Sequence, residues 1–251
     1  MPFNCVIEMN PELQREKDLG QRLEYVHQRI AAAALRSDRR PEEITLVAVS
    51  KTHSAETIQQ AIAAGATDLG ENRVQEAEAK IPLVGRKAAR WHLIGHLQSN
   101  KARRAVELFD VIHSLDSAAL VRRLDRLCAE VGREVLPVLI QVDLGKEATK
   151  SGTAETEVPR IIEAIKQTQT LRLQGLMTLP PYFDDASLAR PFFRRLRELR
   201  DELNTQDAFG DQSGELSMGM THDFEIAIEE GATIVRVGTA IFGERGSPVQ
   251  S

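Results

Sequence analysis

The residue with the clearest potential for covalent chemistry is a lysine that ends an apolar run. Residues 44–50 (ITLVAVS) have the composition of a buried strand, and Lys51 follows them directly. At the mouth of a pocket, with Val47 and Val49 behind it, the partly desolvated amine has a lone pair free to attack a carbonyl. The chemistry indicated is Schiff-base formation. From its position alone, Lys51 is equally well interpreted as a solvated lysine in a loop without a chemical role.

A second feature, near the C-terminus, has the composition of an anion site. Residues 217–231 (SMGMTHDFEIAIEEG) put Ser217 and a glycine-containing turn before a predicted helix that Thr221 would cap. Backbone N–H groups and a hydroxyl can converge there on an anion. Gly238 allows a close backbone approach, and Thr239 adds another hydroxyl. A ligand that suits both this anion site and the amine of Lys51 carries a phosphate and a carbonyl. Either a sugar phosphate or pyridoxal 5′-phosphate fits that description.

Arg236 is the third candidate, within residues 233–238 (TIVRVG). A guanidinium near a pocket mouth must meet a carboxylate, a phosphate or a ring nitrogen, because leaving it unpaired is costly. From position alone, a structural ion pair is the favoured interpretation.

The elements that must position these residues alternate along the chain. A long helix is predicted at residues 11–36, and helix-like segments separate eight predicted strands: residues 44–50, 67–71, 90–95, 109–115, 135–143, 171–177, 214–220 and 233–239. Such alternation implies parallel strands joined by right-handed crossovers. We therefore predict an α/β protein with a single (β/α)8 barrel of the TIM type and an extra N-terminal helix. An open doubly wound sheet is the alternative, and one domain is expected.

In a barrel, the active site forms where the strands end. Polar residues do gather at the predicted strand ends: Lys51, Glu71, Asn72, His96, Ser114, Asp143, Ser217 and Thr239. Each of them, taken singly, is consistent with an incidental polar loop residue. Together they predict a lined pocket.

Composition restricts the class of protein. The 251 residues are 42% hydrophobic and 27% charged, as in an ordinary globular protein. The net charge of −5 argues against a nucleic-acid partner. Cys5 and Cys128 make no disulfide framework, and neither an export signal nor a membrane-spanning run is present. We expect a cytoplasmic protein without a metal site, and a monomer.

Eight ordered motifs resemble the pyridoxal phosphate homeostasis proteins, the YggS/PROSC family. The resemblance covers about residues 13–245 and rests on VAVSK, GENRVQE, WHLIGHLQSNK, HSLDS, EATKSG, GLM, LSMGMTHDFEIAI and VRVGTAIFG. The last motif contains Arg236, Gly238 and Thr239, and EATKSG contains Glu147 and Lys150.

The resemblance implies a single barrel domain of the alanine-racemase type, fold type III among proteins that bind pyridoxal phosphate. It implies a covalent aldimine, a Schiff base, between the cofactor and Lys51. It further implies phosphate contacts from Ser217, Gly238 and Thr239, and a contact from Arg236 to the pyridine nitrogen. The other residues assigned to the cofactor are Asn72, His92, Ser114, Met177 and Met218.

The chain departs from the family pattern at three positions near this site. Arg73 replaces a usual tyrosine in GENRVQE, Asp143 replaces an asparagine after the fifth strand, and Thr221 replaces a serine. Because threonine can also cap a helix, we expect the phosphate site to be retained.

Three functions fit this chemistry. Arginine is a donor-only cation, so Arg236 would keep the ring nitrogen unprotonated and handicap carbanion chemistry. The chain also ends soon after Thr239, which leaves no room for the second domain of a racemase. We therefore expect a non-catalytic carrier that hands pyridoxal phosphate to apo enzymes. The alternatives are a pyridoxal-phosphate-dependent amino-acid racemase and, third, a Schiff-base aldolase acting on a sugar phosphate.

Overall fold

The strands lie where the sequence predicts them. The computed structural model describes residues 18–145 and 151–243. Its strands are β1 (Thr45–Val49), β2 (Asp68–Glu71), β3 (Arg90–Leu93), β4 (Val111–Leu115), β5 (Leu136–Gln141), β6 (Leu171–Met177), β7 (Glu215–Met220) and β8 (Ile234–Val237). Strand β6 has the predicted bounds, and the others are shorter at one or both ends.

The sheet is closed. Each strand pairs in parallel with the next one in the chain, and β8 pairs with β1, with Thr45 opposite Ile234. The (β/α)8 barrel is thereby confirmed, and the open doubly wound alternative is wrong. Because every strand runs the same way, all the carboxyl ends meet at one end of the barrel.

Helices cover the outside of the barrel. They are α1 (Leu19–Arg36), α2 (Ala55–Ala63), α3 (Val74–Val84), α4 (Ala102–Leu108), α5 (Ala118–Val131), α6 (Val158–Lys166), α7 (Arg190–Asn204), α8 (Phe224–Glu229) and α9 (Thr239–Phe242). Side-chain oxygens of Ser54 and Ser117 accept backbone N–H groups at the starts of α2 and α5. Satisfying these donors is what allows each helix to begin there.

The extra N-terminal helix α1 is amphipathic. Asp18 caps it by accepting the Gln21 N–H at 2.8 Å, and residues 11–17 of the predicted helix lie outside the described part. Its buried residues recur every three or four positions: Leu23, Val26, Ile30, Ala33 and Ala34. Arg29 pairs with Glu225 of α8 at 3.0 Å, so α1 is held against the last helices of the barrel.

The core has two apolar layers. The outer layer lies between strands and helices and contains the largest buried side chains, among them Trp91, Phe109 and Phe193. The inner layer fills the barrel with Val47, Val111, Leu139, Met177 and Ile234. Successive side chains of a strand point to opposite faces of the sheet, so each strand contributes to both the inner and the outer layer.

Within the described ranges, no helix is long and apolar enough to cross a membrane. Cys128 is a free cysteine, and burial raises the pKa of its thiol. Cys5 lies outside the described residues.

Candidate functional site at the carboxyl ends of the strands

A cavity of ≈ 680 Å³ opens at the carboxyl ends of the strands. It is lined by residues at the ends of β1, β2, β3, β5, β6, β7 and β8 or in the segments that follow them, including Lys51, Asn72, Ser151, Thr221 and Thr239. A lined pocket at this end of the barrel is what the polar strand ends predict. Its size falls within the range of roughly 300–1,000 Å³ for small-molecule sites.

Lys51 lies in a loop whose backbone is anchored on both sides. Lys80 of α3 donates from Nζ to the Ser50 carbonyl oxygen at 3.0 Å, and the Thr52 N–H donates to Oε2 of Glu76 at 3.0 Å. Thr52 has φ 67°, a conformation that costs a non-glycine residue free energy and therefore needs such support. Both anchors belong to α3, so the GENRVQE segment and the helix it opens fix the position of the lysine.

Beneath this loop lies a buried acid. Glu71 is fully buried, and its Oε1 accepts from Ser50 Oγ at 2.7 Å and from Lys80 Nζ at 3.0 Å. Burial raises the pKa of Glu71, and the charge of Lys80 partly offsets that shift. The other oxygen, Oε2, has no hydrogen-bond partner among the described residues. The Glu71–Lys80 pair is therefore a structural support and does not line the cavity.

Hydroxyl and N–H groups gather at the β7 and β8 ends of the cavity. The Gly238 N–H donates to Thr221 Oγ1 at 3.2 Å, and the hydroxyls of Thr239 and Thr221 lie 3.3 Å apart. The expectation that Thr221 caps the following helix is wrong, because the N-cap of α8 is Asp223. Thr221 instead turns its hydroxyl toward Gly238 and the cavity, where it adds a donor.

Arg236 lies at the base of the cavity and is 3% exposed. Its Nη1 donates to Ser217 Oγ at 2.6 Å and its Nη2 to the Thr178 carbonyl at 2.9 Å. Burial lowers the pKa of Arg236 to about 10, which still leaves the guanidinium charged at neutral pH. Among the described residues no carboxylate lies within salt-bridge distance of it, so the ion-pair interpretation is not supported.

Five of the ten residues assigned to the cofactor line this cavity: Lys51, Asn72, Arg236, Gly238 and Thr239. The other five are buried and lie outside its lining: His92, Ser114, Met177, Ser217 and Met218. Met177 belongs to the inner apolar layer beneath Leu179, and Met218 to the outer layer. For all ten residues, contact with a cofactor remains a prediction.

Ser217, His113 and His92 form a buried polar group below the cavity. Ser217 Oγ lies 2.9 Å from His113 Nδ1, and His113 Nε2 lies 2.8 Å from His92 Nδ1. The sequence reasoning missed His113, although a histidine inside the apolar strand FDVIHSL is a signal that a buried partner exists. Ser114, next to it, is fully buried, and its Oγ has no partner within the described ranges.

The reasoning from strand ends also missed the loop residues of the cavity. His53, Tyr182 and His222 line it, and the rings of Tyr182 and His222 lie 5.8 Å apart. No periodicity in the sequence marks such residues, because loops follow no regular pattern. Asp143 lies outside the lining, where its Oδ1 accepts the Gly145 N–H at 3.1 Å.

Three other residues singled out in the sequence either do not line the cavity or lie outside the described part of the chain. Arg73 is exposed and precedes α3 as its N-cap residue. Glu147 and Lys150 of the EATKSG motif lie outside the described residues.

Comparisons with known proteins agree on one family. The family model described as alanine racemase, N-terminal domain, matches residues 26–246. The pyridoxal phosphate homeostasis protein of Escherichia coli strain K12 is 42% identical, over 91% of this chain and 97% of its own length. The protein of the same name from Aquifex aeolicus is 41% identical, over 90% of this chain and 97% of its own length.

A solved structure extends the likeness to the fold. PipY of Synechococcus elongatus PCC7942, with PLP bound, superimposes with a TM-score of 0.74 at 41% identity, over 90% of this chain and 100% of that chain. The barrel, the cavity at its carboxyl end and these relatives lead to one assignment: the chain belongs to the pyridoxal phosphate homeostasis protein family, within the alanine racemase N-terminal domain family.

Proposed function

We propose that this chain binds pyridoxal 5′-phosphate in the carboxyl-end cavity and takes part in the homeostasis and delivery of that cofactor. The observation that carries the proposal is the gathering of Lys51, Arg236 and the Thr221–Thr239 hydroxyl pair around one cavity. The names of the relatives and the PipY structure with PLP bound support the same conclusion.

The groups present fit the chemistry of this cofactor. Its phosphate requires hydrogen-bond donors, and the hydroxyls of Thr221 and Thr239 lie beside Gly238 at one side of the cavity. Its aldehyde requires an amine, which Lys51 supplies. Its ring nitrogen requires a donor, and Arg236 has donors beyond the two that Ser217 and Thr178 accept.

We also propose that Lys51 Nζ holds the cofactor through a Schiff base. In that reaction the amine nitrogen bonds to the aldehyde carbon, and the aldehyde oxygen leaves as water with two hydrogens. The bond is reversible, since water or another amine regenerates the free lysine. Anchoring of the Lys51 loop by Lys80 and Glu76 would keep the amine at one place while this occurs.

The arginine favours holding the cofactor over catalysis on it. Pyridoxal phosphate supplies an electron sink that works best with a protonated ring nitrogen. Arg236 is charged at neutral pH and has only donors, so it leaves that nitrogen as an unprotonated acceptor. We therefore propose a carrier without appreciable amino-acid turnover, whose acceptors are apo enzymes that depend on this cofactor. We also propose that the carrier is a monomer.

Racemisation is the second candidate, and one observation favours it. Ionisable side chains besides Lys51 line the cavity, namely His53, His96, Tyr182 and His222. A racemase requires two acid–base groups, one on each side of the substrate carbon.

The carrier and the racemase differ in two measurable properties. We expect the loaded protein to reactivate an apo enzyme that depends on pyridoxal phosphate, and to show no appreciable deuterium exchange at the α-carbon of added amino acids. The control is an equal concentration of free cofactor in both assays. Rapid exchange with one amino acid, together with no transfer to any acceptor, would establish the racemase instead.

The hydroxyl of Thr239 should contribute measurably to cofactor affinity. Replacing Thr239 by valine removes one donor to a charged group at nearly constant volume, a loss of about 1.5–3 kcal/mol. Affinity for pyridoxal phosphate should fall by about ten- to a hundredfold, measured by equilibrium titration. Thr205→Val, at the exposed end of α7, is the matched control and should bind like the wild type. Equal affinity of the Thr239→Val protein and the control would move the phosphate elsewhere.

A further inference from the structure

Five side chains form one continuous set of hydrogen bonds across the barrel interior. Arg236 Nη1 is 2.6 Å from Ser217 Oγ, and the next three contacts measure 2.9, 2.8 and 2.9 Å as the set passes through His113 and His92 to Asp68 Oδ1. We call these residues the internal file. They come from β8, β7, β4, β3 and β2.

The internal file joins the two ends of the barrel. Arg236 lines the carboxyl-end cavity, whereas Asp68 begins β2 and lines a cavity of ≈ 240 Å³ beside the starts of β1 and β2. The three residues between them are essentially excluded from solvent, with exposures of 0 to 1%. No bulk water therefore competes for the hydrogen bonds in the middle of the file.

The chemistry of the two end groups sets the direction of every hydrogen bond. A guanidinium only donates, so Ser217 Oγ accepts from Arg236 and gives its own proton to His113 Nδ1. His113 then has its proton on Nε2 and donates to His92 Nδ1. His92 likewise has its proton on Nε2 and donates to the Asp68 carboxylate. All four contacts are satisfied with both imidazoles neutral.

The opposite direction of hydrogen bonding, with donation running from Asp68 toward Ser217, is less favourable. It would require a protonated Asp68, and it would leave the Ser217 hydroxyl proton without an acceptor in the file. Burial by itself would raise the pKa of Asp68, but hydrogen bonding to His92 and nearby positive charge lower it overall. Burial lowers the pKa of His92 and of His113, with the charges of Arg90 and Arg236 adding to the effect on His113.

We infer that His92 and His113 are positioning residues that act on the cofactor site through Ser217 and Arg236. With its proton committed to His113, the Ser217 hydroxyl presents a lone pair to Nη1, while the Thr178 carbonyl accepts from Nη2. The guanidinium is held at two atoms, and its remaining donors are available to the cavity that it lines. This inference rests on the proposed function, since the group that Arg236 is positioned for is the ring nitrogen of pyridoxal phosphate.

The inference assigns a role to His92 that differs from a direct contact. His92 lies outside the cavity lining, two hydrogen bonds away from Ser217. Its effect on a ligand would pass through the order of protons along the file. Asp68 fixes that order from the far end, because an ionised carboxylate accepts and cannot donate.

The protonated nitrogen of each imidazole is directly observable. Long-range ¹H–¹⁵N spectra of the histidine-labelled full chain distinguish the two neutral tautomers from the cation, and His92→Gln and His113→Gln variants assign the signals. We expect both residues to be neutral with the proton on Nε2, with and without pyridoxal phosphate. A proton on Nδ1, or a cationic ring at neutral pH, at either residue would overturn the inference.

One variant and its control test whether the file affects the binding of pyridoxal phosphate. Asp68→Asn replaces the carboxylate by a group that can also donate, so the order is no longer imposed. We expect mixed tautomers at His92 and His113, and affinity for pyridoxal phosphate weaker by about tenfold, the loss of one well-oriented hydrogen bond. Asp110→Asn is the matched control. Asp110 also lies near His92 and pairs with Arg86 at 2.7 Å, but it does not belong to the file.

The outcomes separate the inference from the function beneath it. Two results would overturn the inference and make the file merely structural. One is an Asp68→Asn protein with changed tautomers but unchanged affinity for pyridoxal phosphate. The other is an equal loss of that affinity in Asp68→Asn and Asp110→Asn. A wild-type protein that shows the expected tautomers but does not bind pyridoxal phosphate would instead refute the proposed function, and the positioning role with it.

Discussion

Replacing Lys51 by alanine is expected to abolish covalent retention of pyridoxal phosphate while the fold persists. Lys51 lies in the loop after β1 and belongs to neither apolar layer, so its truncation leaves no cavity in the core. The wild-type protein loaded with cofactor should be yellow. Borohydride reduction should fix the cofactor on the peptide that contains residue 51, and the Lys51→Ala protein should show neither the visible band nor the added mass.

The matched control for this experiment is Lys166→Ala. Lys166 is exposed at the end of α6 and does not line the cavity. It should retain the full visible band and the labelled peptide. A Lys51→Ala protein with the wild-type band would assign the covalent bond to another lysine, such as Lys150, and would contradict the proposal.

Replacing Lys80 by methionine is expected to cause the largest loss of stability among the changes considered. Lys80 is the ion-pair partner of the fully buried Glu71 and also holds the Ser50 carbonyl. Removing one partner of a buried pair leaves an uncompensated charge, which costs about 3–5 kcal/mol of the free energy of unfolding. Urea unfolding at neutral pH measures this loss, with Lys166→Met as the exposed control.

The loss should depend on pH in a definite direction. Burial raises the pKa of Glu71 in the folded protein, and the loss of Lys80, whose charge lowers it, would raise it further. For a group with a raised folded-state pKa, stability is present at low pH and is lost as the pH rises through that pKa. The stabilities of wild type and Lys80→Met should therefore converge as the pH falls and Glu71 takes up a proton.

A double variant separates the charge from the packing. In Glu71→Gln/Lys80→Met no ionisable group remains at the pair, so most of the lost stability should return at neutral pH. The stability of the double variant should also lack the pH dependence that Glu71 gives to Lys80→Met. A double variant as unstable as Lys80→Met would show that the methionine, and not the unpaired carboxylate, causes the loss.

The sequence predicted the barrel because its signals are local. Alternating strand and helix patterns recur along the chain, and each needs only a short window to be recognised. Residues just beyond the ends of β1, β2 and β8 therefore lie at the cavity as expected, among them Lys51, Asn72 and Thr239. Closure of the barrel brings strand ends together whatever their separation in sequence.

The direction of side chains within strands was harder to foresee. Ser217 and Met218 are neighbours in one predicted motif, yet Ser217 contacts Arg236 inside the barrel and Met218 packs in the outer layer. Register and pleat decide which of two adjacent residues faces the interior. The error at Thr221 concerns a helix boundary instead, since the helix starts later than predicted and Asp223 takes the cap position.

The sequence by itself determined the succession of strands and helices, the lysine after β1 and the hydroxyl and glycine residues near β7 and β8, because these depend on local composition and on the rule that strand ends meet. Only the tertiary structure decided that His113 joins Ser217, 104 positions away, and that Asp68 and Arg236 end one internal file. The physical reason is that such hydrogen bonds link different strands, and closure of the barrel gives a buried polar side chain a partner that no local pattern encodes.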